Sequence, residues 1–202
     1  MKLKRFCLIF GILCLLSAAG LTAYNLSSSD RAGQRAEAVA EELIAQIPTI
    51  HESPNIGSAL PDVTEHPEQE MPTISLDSTM FVGYLEIPQL KLTLPVAASF
   101  SMKQLKSTPA LYTGSAYRGD MVIAAHNYNS HFGRLNQLEA GAEVRFVCAD
   151  GTVFRYTVGW SDKIAPSDRE TMITADEWDL TLFTCTYNGK MRFALRCVAA
   201  EK

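Results

Sequence analysis

Residues 181 to 192 read Thr-Leu-Phe-Thr-Cys-Thr-Tyr-Asn-Gly-Lys-Met-Arg, a β-prone apolar run that ends on a thiol, then a turn signal and a cation. Asn188-Gly189 is a pair that reverses a chain tightly, so the spacing predicts that Arg192 returns beside Cys185. A thiolate is the reactive form of cysteine, and a neighbouring guanidinium both favours it and offers donors to a developing oxyanion. The chemistry to which this points is nucleophilic attack on an acyl carbon, with a thioester as intermediate.

Such a reaction also needs a group that moves protons. The part of the chain that reads as folded holds two histidines, His126 and His131. His126 closes the apolar run Met121 to Ala125, which reads as a buried strand whose last residue emerges at a rim. It is therefore the proposed acid toward a departing amine and base toward an incoming one. His131 lies in a loop with Asn127, Asn129 and Ser130 and is expected to be a solvated loop residue. Arg192 is preferred over Arg196, which shares its strand face, because Arg192 lies nearer the turn; outside such a role either arginine is expected to be a solvated strand charge. A zinc site from His126, His131 and Cys185 fits no helical or CxxC spacing, so no metal is assigned.

Ala125-His126-Asn127, then Phe132-Gly133-Arg134-Leu135, then Thr181 to Cys185, then Arg192, resemble in order the His, TLxTC and Arg signatures of the sortases. Gly83 to Pro88 ahead of Leu92 to Val96 is similar to that family's opening strands, and the resemblance runs over residues 80 to 202. It implies a closed, sortase-like, all-β barrel and a cysteine transpeptidase that uses His126, Cys185 and Arg192 without a cofactor. It also implies a substrate site that includes Thr184 and Asn127. By the same resemblance the partners are an LPxTG-like sorting signal in an exported protein and an amine acceptor, either a cell-wall precursor or a pilin lysine. Two other readings use the same residues. An extracellular cysteine peptidase would resolve the thioester with water, and a non-catalytic peptide-binding barrel would keep Cys185 as a buried strand residue.

The positioning elements follow from pattern. Seven β-prone runs stand out: Phe81 to Ile87, Leu92 to Val96, Met121 to Ala125, Glu143 to Cys148, Thr152 to Trp160, Leu180 to Thr184 and Arg192 to Val198. They predict a barrel of about seven to eight strands, with a hairpin at Asp150-Gly151 and short helices near Ser101 to Leu105 and Arg134 to Leu138. Ser161 to Asp179 is the longest connection, and the resemblance makes it a wall of the substrate groove. Its acids, Asp162, Asp168, Glu170, Asp176, Glu177 and Asp179, are read as solvated rather than as a calcium site.

Ahead of the barrel, Phe6 to Leu26 carries no formal charge over 21 residues. As a helix it would be roughly 31 Å long, enough to span a bilayer core. Lys2, Lys4 and Arg5 precede it and orient the N-terminus to the cytoplasm, so the remainder is expected outside the cell membrane. A cleaved secretory signal, with the small residues Ser17, Ala18, Ala19 and Ala23 supplying the cleavage site, is the competing reading. The organisation is then an anchor over 1–29, a helical stalk over 30–47, an acidic proline-rich linker over 48–79 and the catalytic domain over 80–202. The stalk could stand free, pack on the domain or form a dimer seam.

Charge and cysteine usage bound the rest. Residues 80–202 hold 13 basic and 12 acidic side chains, so no basic field points to nucleic acid. Cys148, Cys185 and Cys197 are an odd number of thiols in an exported domain. Strand parity turns Cys148 and Cys197 inward as core residues, with a disulfide between them as the lesser alternative, and Cys185 is left free in either case.

Overall fold

The computed structural model describes residues 2–48, 51–52 and 70–200. Its strands are β1 (His51–Glu52), β2 (Ile74–Leu76), β3 (Thr79–Ile87), β4 (Leu92–Ala97), β5 (Ala110–Thr113), β6 (Met121–Ala124), β7 (Glu143–Cys148), β8 (Thr152–Ile164), β9 (Leu180–Cys185) and β10 (Arg192–Ala199). Two helices, α1 (Lys2–Gln46) and α2 (Arg169–Ile173), join them. The order β8-β10-β9-β6-β5-β4-β3 is closed by β7, which pairs with both β3 and β8, so eight strands form a barrel. β1 adds to β8 and β2 adds to β3 outside that ring. The short helices expected near Ser101 and Arg134 are single 3-10 turns at Gln104–Lys106 and Leu135–Gln137.

Each barrel strand alternates between two apolar environments. Leu85, Ile87, Val96, Met121, Ile123, Phe146, Phe154, Leu182 and Leu195 fill the interior. Cys148 and Cys197 join them as buried free thiols, with no bond between them. Burial pushes the Cys148 thiol up to about 11 and that of Cys197 up to about 12, which keeps both protonated and inert. β3 and β7 approach so closely at Gly83 that a Cβ there would lie 2.0 Å from the Val147 carbonyl oxygen, and its φ of +147° suits glycine alone.

The outer faces are covered by the helices. The end of α1 lays Val39 and Leu43, with Ile47 just after it, over Leu76, Phe81, Tyr84 and Ala97, while α2 brings Met172 over Val122, Ile164, Trp178 and Ala194. Anchor and stalk are thus one continuous helix of 45 residues. Of the three arrangements open to the stalk, packing on the domain is the one observed. Ser29, Ala32, Ala36, Ala40 and Leu43 recur at three and four residue spacing and are buried, a stripe narrow enough for close approach to a barrel. The N-terminal part of α1 is long and apolar enough to cross a membrane and none of it is covered by the domain. Ile74–Leu76 falls within the stretch read as linker and pairs with β3, so the folded unit begins before Met80. Residues 53–69, the body of that linker reading, lie outside the described residues.

Candidate active site

Cys185 is the last residue of β9 and Arg192 the first of β10, and the ladder registers them directly opposite one another. The connection is held shut by Thr186 and Asn188. The Thr186 amide donates to the Met191 carbonyl at 2.9 Å, the Gly189 amide to the Thr186 carbonyl at 2.8 Å, and the Lys190 amide to Asn188 Oδ1 at 3.1 Å. The bond from Thr186 to Met191 makes the next pair inward a non-hydrogen-bonded one. In such a pair the side chains share a face and stand closest, with Cα atoms about 4.5 Å apart. Seven residues therefore suffice to bring Arg192 back opposite Cys185.

His126 reaches the same place by a longer route. β6 runs parallel to β9 with Ala124 opposite Phe183, and the Ala125 amide donates to the Phe183 carbonyl at 3.1 Å. The paired register ends there, two residues short of His126 on one strand and of Cys185 on the other. Val122 and Ala124 belong to the outer clusters, as does Phe183, whereas Ile123, Ala125 and Leu182 point inward. Parity thus turns Cys185 and Arg192 outward in one row at neighbouring strand ends, about 4.8 Å apart, and His126 follows just past the end of β6, the strand alongside β9. Beneath that row an aromatic ledge runs along the sheet. Tyr112 meets Phe183 edge to face at 5.2 Å and Phe100 at 5.1 Å, and Arg169 of α2 stands 6.0 Å over the Tyr112 ring.

The imidazole is held in a defined state. The Asn127 amide donates to His126 Nδ1 at 3.0 Å, so the neutral ring carries its proton on Nε2. Tyr128 stacks on it at 4.2 Å and 9°. Burial lowers the His126 pKa below the ordinary histidine value, and the Lys106 ammonium lowers it further. Neutral imidazole is accordingly the resting form at neutral pH. Neither Lys106 nor Tyr128 was singled out by sequence reasoning. Lys106 comes from the turn between β4 and β5, and only the fold brings it toward His126.

Two expectations about neighbouring residues are overturned. His131 is not solvated but fully buried, and neither ring nitrogen has a well-formed hydrogen bond. α1 covers it. Ser130 Oγ donates to the Ser29 carbonyl at 2.7 Å, and Gly33 approaches until a Cβ would sit 2.8 Å from that of Ser130. Desolvation pulls the His131 pKa down to about 4, against the weaker opposing pull of the Ala32 backbone and with the His126 charge adding to it. His131 is thus sealed beneath the helix.

Arg196, expected as a solvated strand charge, is 2% exposed. Its guanidinium donates to Asp162 Oδ2 at 3.1 Å, Thr181 Oγ1 at 2.7 Å, the Thr171 carbonyl at 2.7 Å and the Met172 carbonyl at 3.2 Å. Trp178 lies 5.0 Å beneath it. Arg196 is thus a bracket for α2, which leaves Arg192 as the arginine registered opposite Cys185. The loop acids are likewise structural in part. Asp168 caps α2 through the Thr171 amide at 3.1 Å, and Asp179 Oδ2 accepts from the Ala199 amide at 2.7 Å.

Thr184 and Asn127 lie on the other side of the strand end, where both line a cavity of about 640 Å³ that also touches Cys185. The Thr184 hydroxyl is buried there without a partner.

A family model described as a Sortase domain matches residues 85–200. The chain is 26% identical over 121 residues to sortase A of Bacillus anthracis, a match that spans 57% of each protein. Among solved structures it resembles the sortase D5 transpeptidase of Clostridium perfringens, with a TM-score of 0.52 and 21% identity over 59% of this chain and 79% of the other. It also resembles sortase A of Corynebacterium diphtheriae, with a TM-score of 0.55 and 17% identity over 86% of this chain and 85% of that one.

Proposed function

The chain belongs to the sortase family, and we propose that it is a membrane-anchored cysteine transpeptidase in which Cys185, His126 and Arg192 carry the reaction. The observation that supports this most is the register that sets Arg192 opposite Cys185, with β6, which His126 follows, paired alongside β9. Neighbouring segments of the sheet thus carry a nucleophile, a cation and a proton-transfer group.

In the first half-reaction the Cys185 thiol passes its proton to the neutral His126 imidazole as the sulfur attacks the carbonyl carbon of a peptide bond in an LPxTG-like sorting signal. Arg192 donates to the carbonyl oxygen as negative charge develops on it, a role for which a planar group that cannot lose its proton is suited. The C–N bond breaks, the departing amine takes a proton from the His126 imidazolium, and the acyl group remains on sulfur as a thioester. In the second, an acceptor amine attacks that carbonyl and gives its proton to His126, and the thiolate leaves as the new amide forms. The aromatic ledge of Phe183, Tyr112 and Phe100 gives the apolar residues of the signal a surface that leads to the thiol.

With the apolar part of α1 in the membrane and Lys2, Lys4 and Arg5 on the cytoplasmic side, the barrel faces the exterior, where exported substrates and cell-wall or pilin amines are found. The direct test incubates the full chain in detergent with sorting-signal peptides and amine acceptors and reads products by mass spectrometry. A peptide-to-amine ligation product that disappears in Cys185→Ala and in His126→Ala is expected. Cleavage that persists in Cys185→Ala would refute the assignment.

A further inference from the structure

A transpeptidase must bring two substrates in turn to one sulfur, and Cys185 stands between two surfaces. The outward face carries His126, Arg192 and the aromatic ledge. The inward face, one residue back along each strand, carries a second row in which Thr184 is registered opposite Phe193, and Phe193 opposite Lys163. This row forms one wall of the cavity of about 640 Å³, a volume suited to a small ligand. Cys185 opens onto it, and Asn127, Asn129 and Asn136 from the segment that follows His126 line it as well.

The chemistry of the lining is one-sided. Lys163 is its single formal charge and no carboxylate is among the lining residues. The other polar groups are amides and hydroxyls. One of them, Thr184 Oγ1, sits in a residue that is 4% exposed and has no hydrogen-bond partner. A buried hydroxyl left without a partner is costly, and a ligand that reaches it would repay that cost. An alkyl ammonium entering alone would meet Lys163 and find no counter-ion.

Resting on the thioester reading above, we propose that this cavity is the acceptor site, and that it takes an amine borne close to a carboxylate rather than an isolated alkyl ammonium. The carboxylate pairs with Lys163, and the asparagine amides hold the peptide-like or sugar-like remainder. The positive field also lowers the acceptor's ammonium pKa and so supplies the neutral amine that attack requires. That amine attacks the Cys185 thioester, the C–S bond breaks, the sulfur leaves as thiolate and the amine proton passes to His126. Donor and acceptor thus occupy opposite sides of one strand end.

Diglycine and diglycinamide, which differ in the carboxylate, test this in two independent ways on the full chain in detergent. In the first, one common thioester partitions between water and each acceptor. Diglycine is expected to give about threefold to fivefold more ligation per hydrolysis than diglycinamide, the size of one partly screened ion pair. The preference should fade with added salt and reverse in Lys163→Glu. In the second, which needs no turnover, amide resonances of Thr184 and Asn136 in Cys185→Ala are followed by NMR as each dipeptide is added. Shifts are expected at lower diglycine than diglycinamide concentration, and not in Lys163→Glu. Equal partition and equal titrations overturn the acceptor assignment and leave the thioester chemistry standing. Selective diglycine binding with no thioester on any signal peptide overturns the catalytic reading and leaves the anion-selective cavity.

Discussion

Arg192 and Arg196 lie on one face of one strand, and replacing each in turn separates chemistry from architecture. Arg196→Ala deletes four hydrogen bonds at once, to Asp162 Oδ2, Thr181 Oγ1 and the carbonyls of Thr171 and Met172, and removes the cation from above Trp178. Each buried acceptor left unpaired costs about 1–3 kcal/mol. Water can enter from a cavity of about 470 Å³ lined by Trp160, Asp162, Thr171 and Trp178, and the Asp162 side chain is 38% exposed, so part of the loss is recovered. The net expectation is about 3–5 kcal/mol, the cost of breaking a buried charged network from one side. For a domain of this size that is a fall in Tm of about 10–20 °C. Arg192→Ala should do the reverse. Its guanidinium stands at the open end of the strand pair, so Tm should stay within about 2 °C while turnover falls roughly a hundredfold to a thousandfold, as for a lost oxyanion donor. Differential scanning calorimetry and a cleavage assay on the same preparations, run well below the lower Tm, read both quantities. An Arg196→Ala protein as stable as the parent would refute the bracket assignment, and so would loss of turnover from Arg196→Ala with Arg192→Ala left active.

Three further outcomes are expected. Lys106→Met removes a cation that lowers the His126 pKa, so the limb of the pH–rate profile that belongs to His126 should move to higher pH; an unmoved profile contradicts that coupling. His131 has its folded pKa depressed to about 4 from an unfolded value near 6.5, so the stability associated with its neutral form is present above pH 6.5 and lost as pH falls toward 4. Linkage puts the loss at about 3 kcal/mol by pH 4, and urea titrations of His131→Phe should lack that slope between pH 6.5 and 4. Gly33→Leu forces a branched side chain where even a Cβ would lie 2.8 Å from Ser130, so α1 should lift from the segment after His126. Hydrogen exchange should then rise at residues 29–43 and at Ser130 to Phe132, and unchanged protection there would show that the helix is not what buries His131.

Local features of the site were legible because they depend on neighbours in sequence. Asn188-Gly189 makes the turn that returns Arg192 to Cys185, and alternation along Glu143–Cys148 and Arg192–Ala199 turns Cys148 and Cys197 inward. β8 outran its expected end at Trp160 because Lys163 and Ile164 still pair with Phe193 and Arg192. β2 and β5 were missed because three or four residues give alternation too little length to show. The parallel pairing of β6 with β9 spans nearly sixty residues, and no local signal announces it, although the family resemblance placed His126 beside Cys185. His131 and Arg196 were misread for a common reason. Their polarity suggested solvent, whereas α1 from a hundred residues upstream covers one and α2 supplies the carbonyls that satisfy the other.

The central claim is that Cys185 forms a thioester with a peptide signal, and intact-mass spectrometry of the acid-quenched full chain tests it most directly. With an LPxTG-like signal peptide present, the expected result is one added acyl fragment per chain, carried on the peptide that contains Cys185, removed by hydroxylamine and absent from Cys185→Ala. An adduct on another residue, or cleavage of the signal while Cys185 stays unmodified and unreactive to iodoacetamide, would contradict it.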